Sequence, residues 1–262
     1  MQITKTDRAR KCLIYAHRGA NREGAENTRC AFDKALEYPI DGIETDVQLT
    51  RDEIPVLWHD RFLDKLGVPS KHIDDFNHAQ LQTFDFTGNF LIYSETDTRD
   101  KDERIMTLQA FLEVYRNNCR LLIEIKNREW EASYRHEIKV RKTMAMVAPA
   151  AGDAIMVSSF DLDSLAYAYL CGPEIPLIYN FETDQTIEDA RHILSTQPFL
   201  YGLCLPIATL DEPIVKLLRS HGKFIAVYTC NSDEEIGKAL KLGVDILITD
   251  VPQQALQMRD QG

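Results

Sequence analysis

The stretch Gly42-Ile43-Glu44-Thr45-Asp46-Val47 decides the fold, because it combines a strand pattern with two regularly spaced acidic residues. Side chains alternate between the two faces of a β-strand, so Ile43 and every second residue after it share one face. Glu44 and Asp46 share the other face. The apolar face is expected to pack beneath helices, and the two carboxylates then point into the interior of a closed sheet.

Other apolar runs of strand length accompany this stretch along the chain. Each is short and rich in Ile, Val, Leu or Tyr, as β-strands commonly are. In chain order the eight runs are residues 13–16, 42–47, 121–125, 154–157, 176–179, 202–205, 224–228 and 245–248. They are separated by segments with helical spacing, so strands and helices alternate over the whole chain.

Capping residues mark where several of these helices begin. The predicted starts are Thr28, Thr107, Asp161 and Ser232. Ser232 also forms a capping-box pattern with Glu235, and Gly243 is expected to end that helix. The alternation predicts a parallel sheet of the α/β class, and eight units predict closure into a (β/α)8 TIM barrel. A doubly wound open sheet is the alternative, but the sequence shows no switch point for it.

One segment interrupts the alternation. Residues from about 50 to 104 separate the second strand from the helix that should follow it. Thr50-Arg51-Asp52-Glu53 is typical of a polar turn, after which residues 54–59 are expected to return as a hairpin arm. The segment ends in a charged stretch, residues 95–103, which is expected to be an exposed loop. We therefore predict one domain, residues 1–262, with an insertion over the barrel mouth.

Composition limits the possible partners and location. The net charge of −11 disfavours binding to nucleic acid or to anionic membrane surfaces. No apolar stretch approaches the roughly 20 residues of a membrane span, and the polar N-terminus lacks the apolar core of a secretory signal. The six cysteines show no CxxC spacing, so reduced thiols in a cytoplasmic protein are expected. The oligomeric state is left open.

A third acidic residue joins the inward-facing pair. In Leu121-Leu122-Ile123-Glu124-Ile125-Lys126 the same alternation turns Glu124 and Lys126 inward. Three carboxylates that share a poorly hydrated mouth repel one another, and a divalent cation removes that penalty. Oxygen ligands of this kind suit Mg²⁺ or Ca²⁺. The alternative is a set of inward ion pairs, for instance between Glu124 and Lys126.

Two histidines are candidates for proton transfer. His17 and Arg18 follow the first strand, at the end that forms the active mouth of a barrel. Counting back across the hairpin turn places His59 opposite Asp46. Histidine can move protons near neutral pH, and arginine can hold a phosphate with two hydrogen bonds. With Lys126 and a cation, these groups meet the needs of phosphodiester cleavage, although an isolated His-Arg pair is more often a solvated loop.

Together these motifs resemble the glycerophosphodiester phosphodiesterase family, from the first strand nearly to the end of the chain. The matching motifs are His17-Arg18-Gly19 with Glu26-Asn27-Thr28, residues 42–50, residues 55–60, Glu124-Ile125-Lys126, Ser159-Phe160, Tyr228-Thr229 with Asn231, residues 243–245 and residues 248–250 with Pro252. Two positions depart from the usual pattern. Ala25 replaces a proline and Tyr228 replaces a tryptophan, and neither position carries the proposed chemistry.

The resemblance implies roles for individual residues. It implies a metal ion held by Glu44, Asp46 and Glu124, an acid–base pair of His17 and His59, a phosphate bound by Arg18 and Lys126, and support from Glu26 and Asn27. It also implies hydrolysis of a small-molecule glycerophosphodiester to sn-glycerol 3-phosphate and an alcohol. A related phospholipase D, acting on lysophospholipid or sphingomyelin, is the alternative, but the polar insertion does not favour a lipid. Retention of all the catalytic residue types disfavours an inactive binding barrel.

Overall fold

The computed structural model describes residues 11–87, 103–127, 131–148 and 154–261. Its strands are β1 (Leu13–His17), β2 (Gly42–Leu49), β3 (Pro55–Leu57), β4 (Arg120–Ile125), β5 (Ile155–Ser159), β6 (Leu177–Asn180), β7 (Gly202–Pro206), β8 (Phe224–Tyr228) and β9 (Ile246–Thr249). Its helices are α1 (Arg29–Ala35), α2 (His78–Leu81), α3 (Leu108–Tyr115), α4 (Ser133–Val147), α5 (Leu162–Cys171), α6 (Ile187–Thr196), α7 (Glu212–Ser220), α8 (Asp233–Leu242) and α9 (Pro252–Gln261). Apart from Glu103, the charged stretch predicted to be a loop lies outside the described residues.

All the strands except β3 form one closed ring of parallel neighbours. The order around the ring is β1, β2, β4, β5, β6, β7, β8 and β9, and β9 pairs again with β1. Leu13 pairs with Ile246 across the closing seam, and Tyr15 pairs with Gly42 on the other side of β1. This closure confirms the predicted (β/α)8 barrel and excludes the open sheet. Each barrel strand lies within two residues of a predicted run at either end.

The helices begin where their capping residues predicted. The side chains of Thr28, Thr107 and Asp161 each accept a hydrogen bond from a backbone N–H in the first turn of the next helix. Ser232 and Glu235 form the predicted capping box, and a glycine in the left-handed conformation ends α8. No helix within the described ranges combines the length and the apolar content of a bilayer-spanning segment.

The barrel interior is apolar below the mouth. Its buried side chains are Tyr15, Leu122, Met156, Ile178, Cys204, Ala226, Ile246 and Ile248. A second and larger apolar cluster fills the space between the strands and the surrounding helices. Cys12 and Cys230 are buried and free, and burial raises the pKa of each to about 12.

Strand β3 returns antiparallel to β2, as predicted, but its register differs from the prediction by one residue. Val47 pairs with Leu57, and the Trp58 N–H donates to the carbonyl of Asp46 at 3.2 Å. Trp58 therefore lies opposite Asp46. The prediction that His59 occupies this position was wrong, although His59 still reaches the barrel mouth.

The geometry of the hairpin loop explains the error. The count assumed a two-residue turn at Asp52 and Glu53. Instead, Thr50 N–H donates to the carbonyl of Ile54 at 3.1 Å and Glu53 N–H donates to the carbonyl of Thr50 at 3.0 Å. Glu53 has a φ of 60°, in the left-handed region. A turn followed by a left-handed residue makes a three-residue loop, which shifts the returning strand by one position.

A tight contact at Gly202 should make substitution there costly. Gly202 on β7 pairs with Phe224 on β8, and a β-carbon added at Gly202 would lie 2.1 Å from the Phe224 carbonyl oxygen. Because two barrel strands would have to separate, we expect Gly202→Ala to lower the free energy of unfolding by about 1–3 kcal/mol. Chemical denaturation of the variant and the wild type measures this difference.

Gly237 provides a matched control for the same substitution. It lies within α8, and an added β-carbon would meet only the Met258 side chain, at 3.9 Å. Alanine favours a helix interior over glycine, so Gly237→Ala should be neutral or stabilising by up to about 1 kcal/mol. If Gly202→Ala proved as stable as Gly237→Ala, the close approach of β7 and β8 would be wrong.

Candidate active site

The three predicted metal ligands lie together at the carboxyl ends of neighbouring strands. Glu44 and Asp46 on β2 and Glu124 on β4 are all at least nine-tenths buried, and one carboxylate oxygen of each lies within 4.8 Å of the other two. Burial, with the negative charge of Asp46, raises the pKa of Glu44 well above its usual value. Burial also opposes ionisation of Asp46, but the charges of Lys126 and Arg18 outweigh it and hold the pKa of Asp46 well below its usual value.

Lys126 lies among these carboxylates. Its Nζ is 3.1 Å from Asp46 Oδ1 and 2.5 Å from Glu124 Oε1. The ion pair with Glu124 therefore exists, as one interpretation of the sequence foresaw. Neither oxygen receives a hydrogen bond of good geometry, however, and the two cationic side chains at the cluster, Lys126 and Arg18, do not neutralise three buried carboxylates. Two buried oxygens with unmet acceptor capacity, in an all-carboxylate set, fit a divalent cation such as Mg²⁺ or Ca²⁺.

Arg18 is held in a left-handed backbone conformation at the end of β1, with a φ of 58°. Its backbone N–H donates to the Glu44 carbonyl at 2.9 Å, which fixes the chain beside β2. Its guanidinium lies between two carboxylates, with Nε 3.2 Å from Asp46 and Nη1 2.8 Å from Glu26. Left-handed backbone is costly for a residue with a β-carbon, and such strain is found where a side chain must be aimed.

Asn27 supports the cluster from the same loop. It is buried, and it also has a left-handed φ, of 59°. Its Nδ2 donates to Asp46 Oδ2 at 2.9 Å, and its Oδ1 accepts a hydrogen bond from the Thr45 hydroxyl at 2.7 Å. The amide is therefore oriented by both partners, and it fixes one oxygen of Asp46.

His17 is oriented by a carboxylate that the sequence interpretation did not assign. Its Nδ1 lies 2.6 Å from Asp250 Oδ1, and its Nε2 lies 4.0 Å from Glu44. Burial and the nearby Arg18 charge lower the pKa of His17, although Asp250 opposes this. With Nδ1–H donated to Asp250, the Nε2 atom faces the mouth as a proton acceptor.

Asp250 follows β9 and accepts several hydrogen bonds. Asn21 and Asn231 each donate to it at 2.7 Å. Burial opposes ionisation of Asp250, yet the hydrogen bonds from His17 and the two asparagines outweigh it and lower the pKa to about 2. Asn231 and Asp250 belong to motifs recognised in the sequence, but no local pattern connects them to His17.

His59 has the same kind of arrangement. Its Nδ1 lies 2.8 Å from Asp60 Oδ1, and Asp60 also contacts Lys65, whose Nζ is 2.9 Å from Oδ2. Burial opposes ionisation of Asp60, but the hydrogen bonds from His59 and Lys65 outweigh it and lower the pKa of Asp60. Lys65 is a second residue that sequence reasoning missed.

One cavity at the mouth collects these groups. The proposed catalytic and binding residues that line it are His17, Arg18, Glu44, His59, Glu124 and Lys126. Phe160 and Tyr228 form part of its wall, with ring centroids 6.0 Å apart in an edge-to-face arrangement. The Tyr228 hydroxyl donates to the Phe181 carbonyl at 2.5 Å, so the tyrosine is fixed in place. The cavity combines positive charge, two oriented imidazoles and a buried carboxylate cluster.

A family model and the sequences of known proteins match nearly the whole chain and carry the same enzyme name. The model of the glycerophosphoryl diester phosphodiesterase family matches residues 17–254. A glycerophosphodiester phosphodiesterase of Bacillus altitudinis is 32% identical over 254 residues, which cover 95% of this chain and 98% of that protein. A protein of the same name from Caldanaerobacter subterraneus subsp. tengcongensis is 27% identical, with 96% of this chain and 99% of that protein covered.

Solved structures show the same fold. A phosphodiesterase from Oleispira antarctica, in complex with the product sn-glycerol-3-phosphate, has a TM-score of 0.81 at 24% identity, over 95% of this chain and 96% of that one. A glycerophosphodiester phosphodiesterase from Thermotoga maritima has a TM-score of 0.71 at 26% identity, over 94% of this chain and 98% of that one. The barrel fold of this chain thus has several solved counterparts.

Proposed function

The chain belongs to the glycerophosphoryl diester phosphodiesterase family, and from this premise we propose that it hydrolyses water-soluble glycerophosphodiesters, with a divalent cation, to sn-glycerol 3-phosphate and an alcohol. Membership makes it a phosphodiesterase. The observation that carries the finer proposal is the cavity in which two carboxylate-bound histidines and two cationic side chains surround the buried acidic cluster. The Oleispira antarctica structure, which holds sn-glycerol-3-phosphate, supports the proposed product.

Glu44, Asp46 and Glu124 would hold one Mg²⁺ or Ca²⁺ ion. When bound, such an ion polarises the phosphoryl group and offsets its negative charge. Arg18 and Lys126 line the same cavity and bind the non-bridging phosphate oxygens. Because the protein as a whole carries a net charge of −11, these local positive charges are what admit an anionic substrate.

The two histidines divide the proton transfers. His17 lies deeper, with 16% of its side chain exposed, and its Nε2 accepts the proton of the attacking nucleophile, which is water in direct hydrolysis or a glycerol hydroxyl group where a cyclic phosphate forms first and water then opens it. His59 lies nearer the rim, with 29% of its side chain exposed, and it donates a proton to the departing alkoxide. Asp250 and Asp60 each hold one Nδ1 atom, so each ring presents its Nε2 atom for transfer.

The insertion supports a soluble substrate. We propose that residues 1–262 form one domain and that the insertion, at about residues 50–104, covers the mouth. Its described part contributes His59, Asp60 and Lys65 to the cavity and its surroundings, and all three are polar or charged. A charged rim is poorly suited to acyl chains, whereas it suits small head groups such as ethanolamine or glycerol.

A turnover panel tests this proposal. The protein, with Mg²⁺ or Ca²⁺, is incubated with glycerophosphoethanolamine, glycerophosphocholine, glycerophosphoglycerol, a lysophospholipid and sphingomyelin, and the products are identified by ³¹P NMR. We expect sn-glycerol 3-phosphate from the soluble substrates and slower or no turnover of the lipids. Faster turnover of either lipid would favour the phospholipase D alternative, and no turnover of any substrate would favour an inactive binding barrel.

A further inference from the structure

Two carboxylates and a histidine form a second acidic cluster beside the cavity. Atoms of Glu26, His59 and Asp60 lie within 4.8 Å of one another. Lys65 joins them from the single helical turn Asp64–Leu66 of the insertion. Its Nζ lies 2.9 Å from Glu26 Oε1 and 2.9 Å from Asp60 Oδ2. An ammonium group therefore already supplies the positive charge that this cluster could otherwise take from a metal ion.

The second oxygen of each of these carboxylates contacts a side chain that lines the cavity. Glu26 Oε2 accepts a hydrogen bond from Arg18 Nη1 at 2.8 Å. Asp60 Oδ1 lies 2.8 Å from His59 Nδ1. A continuous chain of contacts therefore runs from Arg18 through Glu26, Lys65 and Asp60 to His59.

We propose that Lys65 is a positioning residue: by holding Glu26 and Asp60 together, it fixes Arg18 and His59 relative to each other across the cavity. The inference rests on the proposed function for the roles of Arg18 in phosphate binding and of His59 in proton donation. It assigns no chemical step to Lys65, which acts only through the two carboxylates.

Electrostatics gives the reason. The carboxylates of Glu26 and Asp60 carry like charges and have oxygens within 4.8 Å of each other, so they repel. Without Lys65 they would move apart or take up other partners. Each would carry its attached group, Arg18 or His59, away from the geometry it needs. Displacements of about 1 Å are enough to cost up to ~10²-fold in rate. The raised pKa of Lys65, which the two carboxylates cause against the opposing effect of burial, agrees with a tightly held ammonium group.

The backbone segment that carries Lys65 is held in place by packing and by a hydrogen bond. Leu63, two positions before Lys65, is fully buried in the apolar cluster of the insertion, with Val56, Trp58 and Ile73. Leu63 N–H donates to the Lys71 carbonyl at 2.8 Å. The base of the lysine side chain is therefore held by packing, and 46% of the side chain remains exposed.

The test compares Lys65→Met, Lys65→Arg and a control variant. Lys34→Met serves as the control, because Lys34 is an exposed lysine, with 39% of its side chain accessible, whose Nζ lies 3.2 Å from Glu37 away from the cavity. We expect Lys65→Met to lower kcat/KM for glycerophosphoethanolamine by ~10–100-fold, mostly through kcat. Lys65→Arg should restore most of the activity, and Lys34→Met should match the wild type.

A second substrate separates positioning from general damage. In a nitrophenyl ester of glycerol phosphate the leaving group is nitrophenolate, which needs little help from a proton donor as it departs. Lys65→Met displaces both Arg18 and His59, but cleavage of this ester needs only Arg18. The loss of kcat/KM in Lys65→Met should therefore be smaller on the ester than on glycerophosphoethanolamine by ~5-fold or more. Denaturation curves of Lys65→Met and Lys34→Met establish that both variants are fully folded under the assay conditions, so that a difference in rate between them cannot come from unfolding.

The outcomes distinguish the inference from the proposed function. Near-wild-type kcat/KM in Lys65→Met, or an equal loss on both substrates, overturns the inference. His59→Ala is measured in parallel. If His59→Ala is strongly impaired and Lys65→Met is not, the inference alone fails; if His59→Ala keeps the wild-type rate, the proposed proton donor and the inference fail together.

Discussion

Chelation of divalent cations is expected to abolish hydrolysis of glycerophosphodiesters, and addition of Mg²⁺ or Ca²⁺ is expected to restore it. The reason is the buried cluster of Glu44, Asp46 and Glu124, in which two oxygens lack a hydrogen bond of good geometry. A polarising cation contributes several kcal/mol to stabilisation of the transition state, so its loss should lower kcat by ~10²–10³-fold or more. Steady-state rates after metal removal, and again with each metal added, measure the effect.

Variants of the ligands locate the cation. Glu44→Gln, Asp46→Asn and Glu124→Gln should each weaken metal binding in isothermal titration calorimetry. Glu44→Gln offers an additional control, because burial and the charge of Asp46 disfavour ionised Glu44 in the folded state. Removing that charge should leave the metal-free protein as stable as the wild type or more stable, so loss of activity could not be attributed to unfolding. Full activity in excess chelator, after verified metal removal, would contradict the metal site.

Replacement of either histidine by alanine is expected to lower the rate by ~10²–10⁴-fold while metal binding is largely retained. His17 and His59 line the same cavity, and each is bound through Nδ1 to a carboxylate that orients it. The double variant should lose less than the product of the two single losses, because the pair acts as a unit. Single-turnover and steady-state kinetics on glycerophosphoethanolamine measure these losses.

Leaving-group chemistry distinguishes the two roles. A nitrophenyl ester should rescue His59→Ala, because a good leaving group needs little protonation, and should not rescue His17→Ala. The wild-type kcat/KM should fall on both the acid and the alkaline side, since one histidine must be neutral while the other is protonated. Rescue of His17→Ala instead would exchange the two assignments, and near-normal rates in both single variants would refute the pair.

The sequence predicted those features that depend on local pattern. Alternation along residues 42–47 was enough to turn Glu44 and Asp46 into the barrel, because the period of a strand is two wherever it lies. Capping residues such as Thr28 act on backbone groups only a few positions away. The hairpin register was missed because it depends on one left-handed residue, Glu53, which no alternation reveals.

The contacts that orient the histidines were beyond local pattern. His17 and Asp250 are separated by 233 positions in the chain, and only closure of the barrel brings them together. Lys65 belongs to an insertion without periodic structure, so nothing in its neighbours indicated a link between Glu26 and Asp60. In both cases the hydrogen-bond and ion-pair partners are determined by topology and loop packing, which cannot be read from the local pattern of a single sequence.

The seam between β1 and β9 also bears on how the protein is made. His17 lies near the beginning of the chain, and Asp250, Asn231 and the strand that closes the ring lie near its end. A nascent polypeptide that has emerged from the ribosome only as far as β8 already contains Glu44, Asp46, Glu124 and His59, yet its first histidine has no carboxylate to orient it. Enzymatic competence is therefore expected only after the final strand has docked, and growing chains should remain inactive during translation.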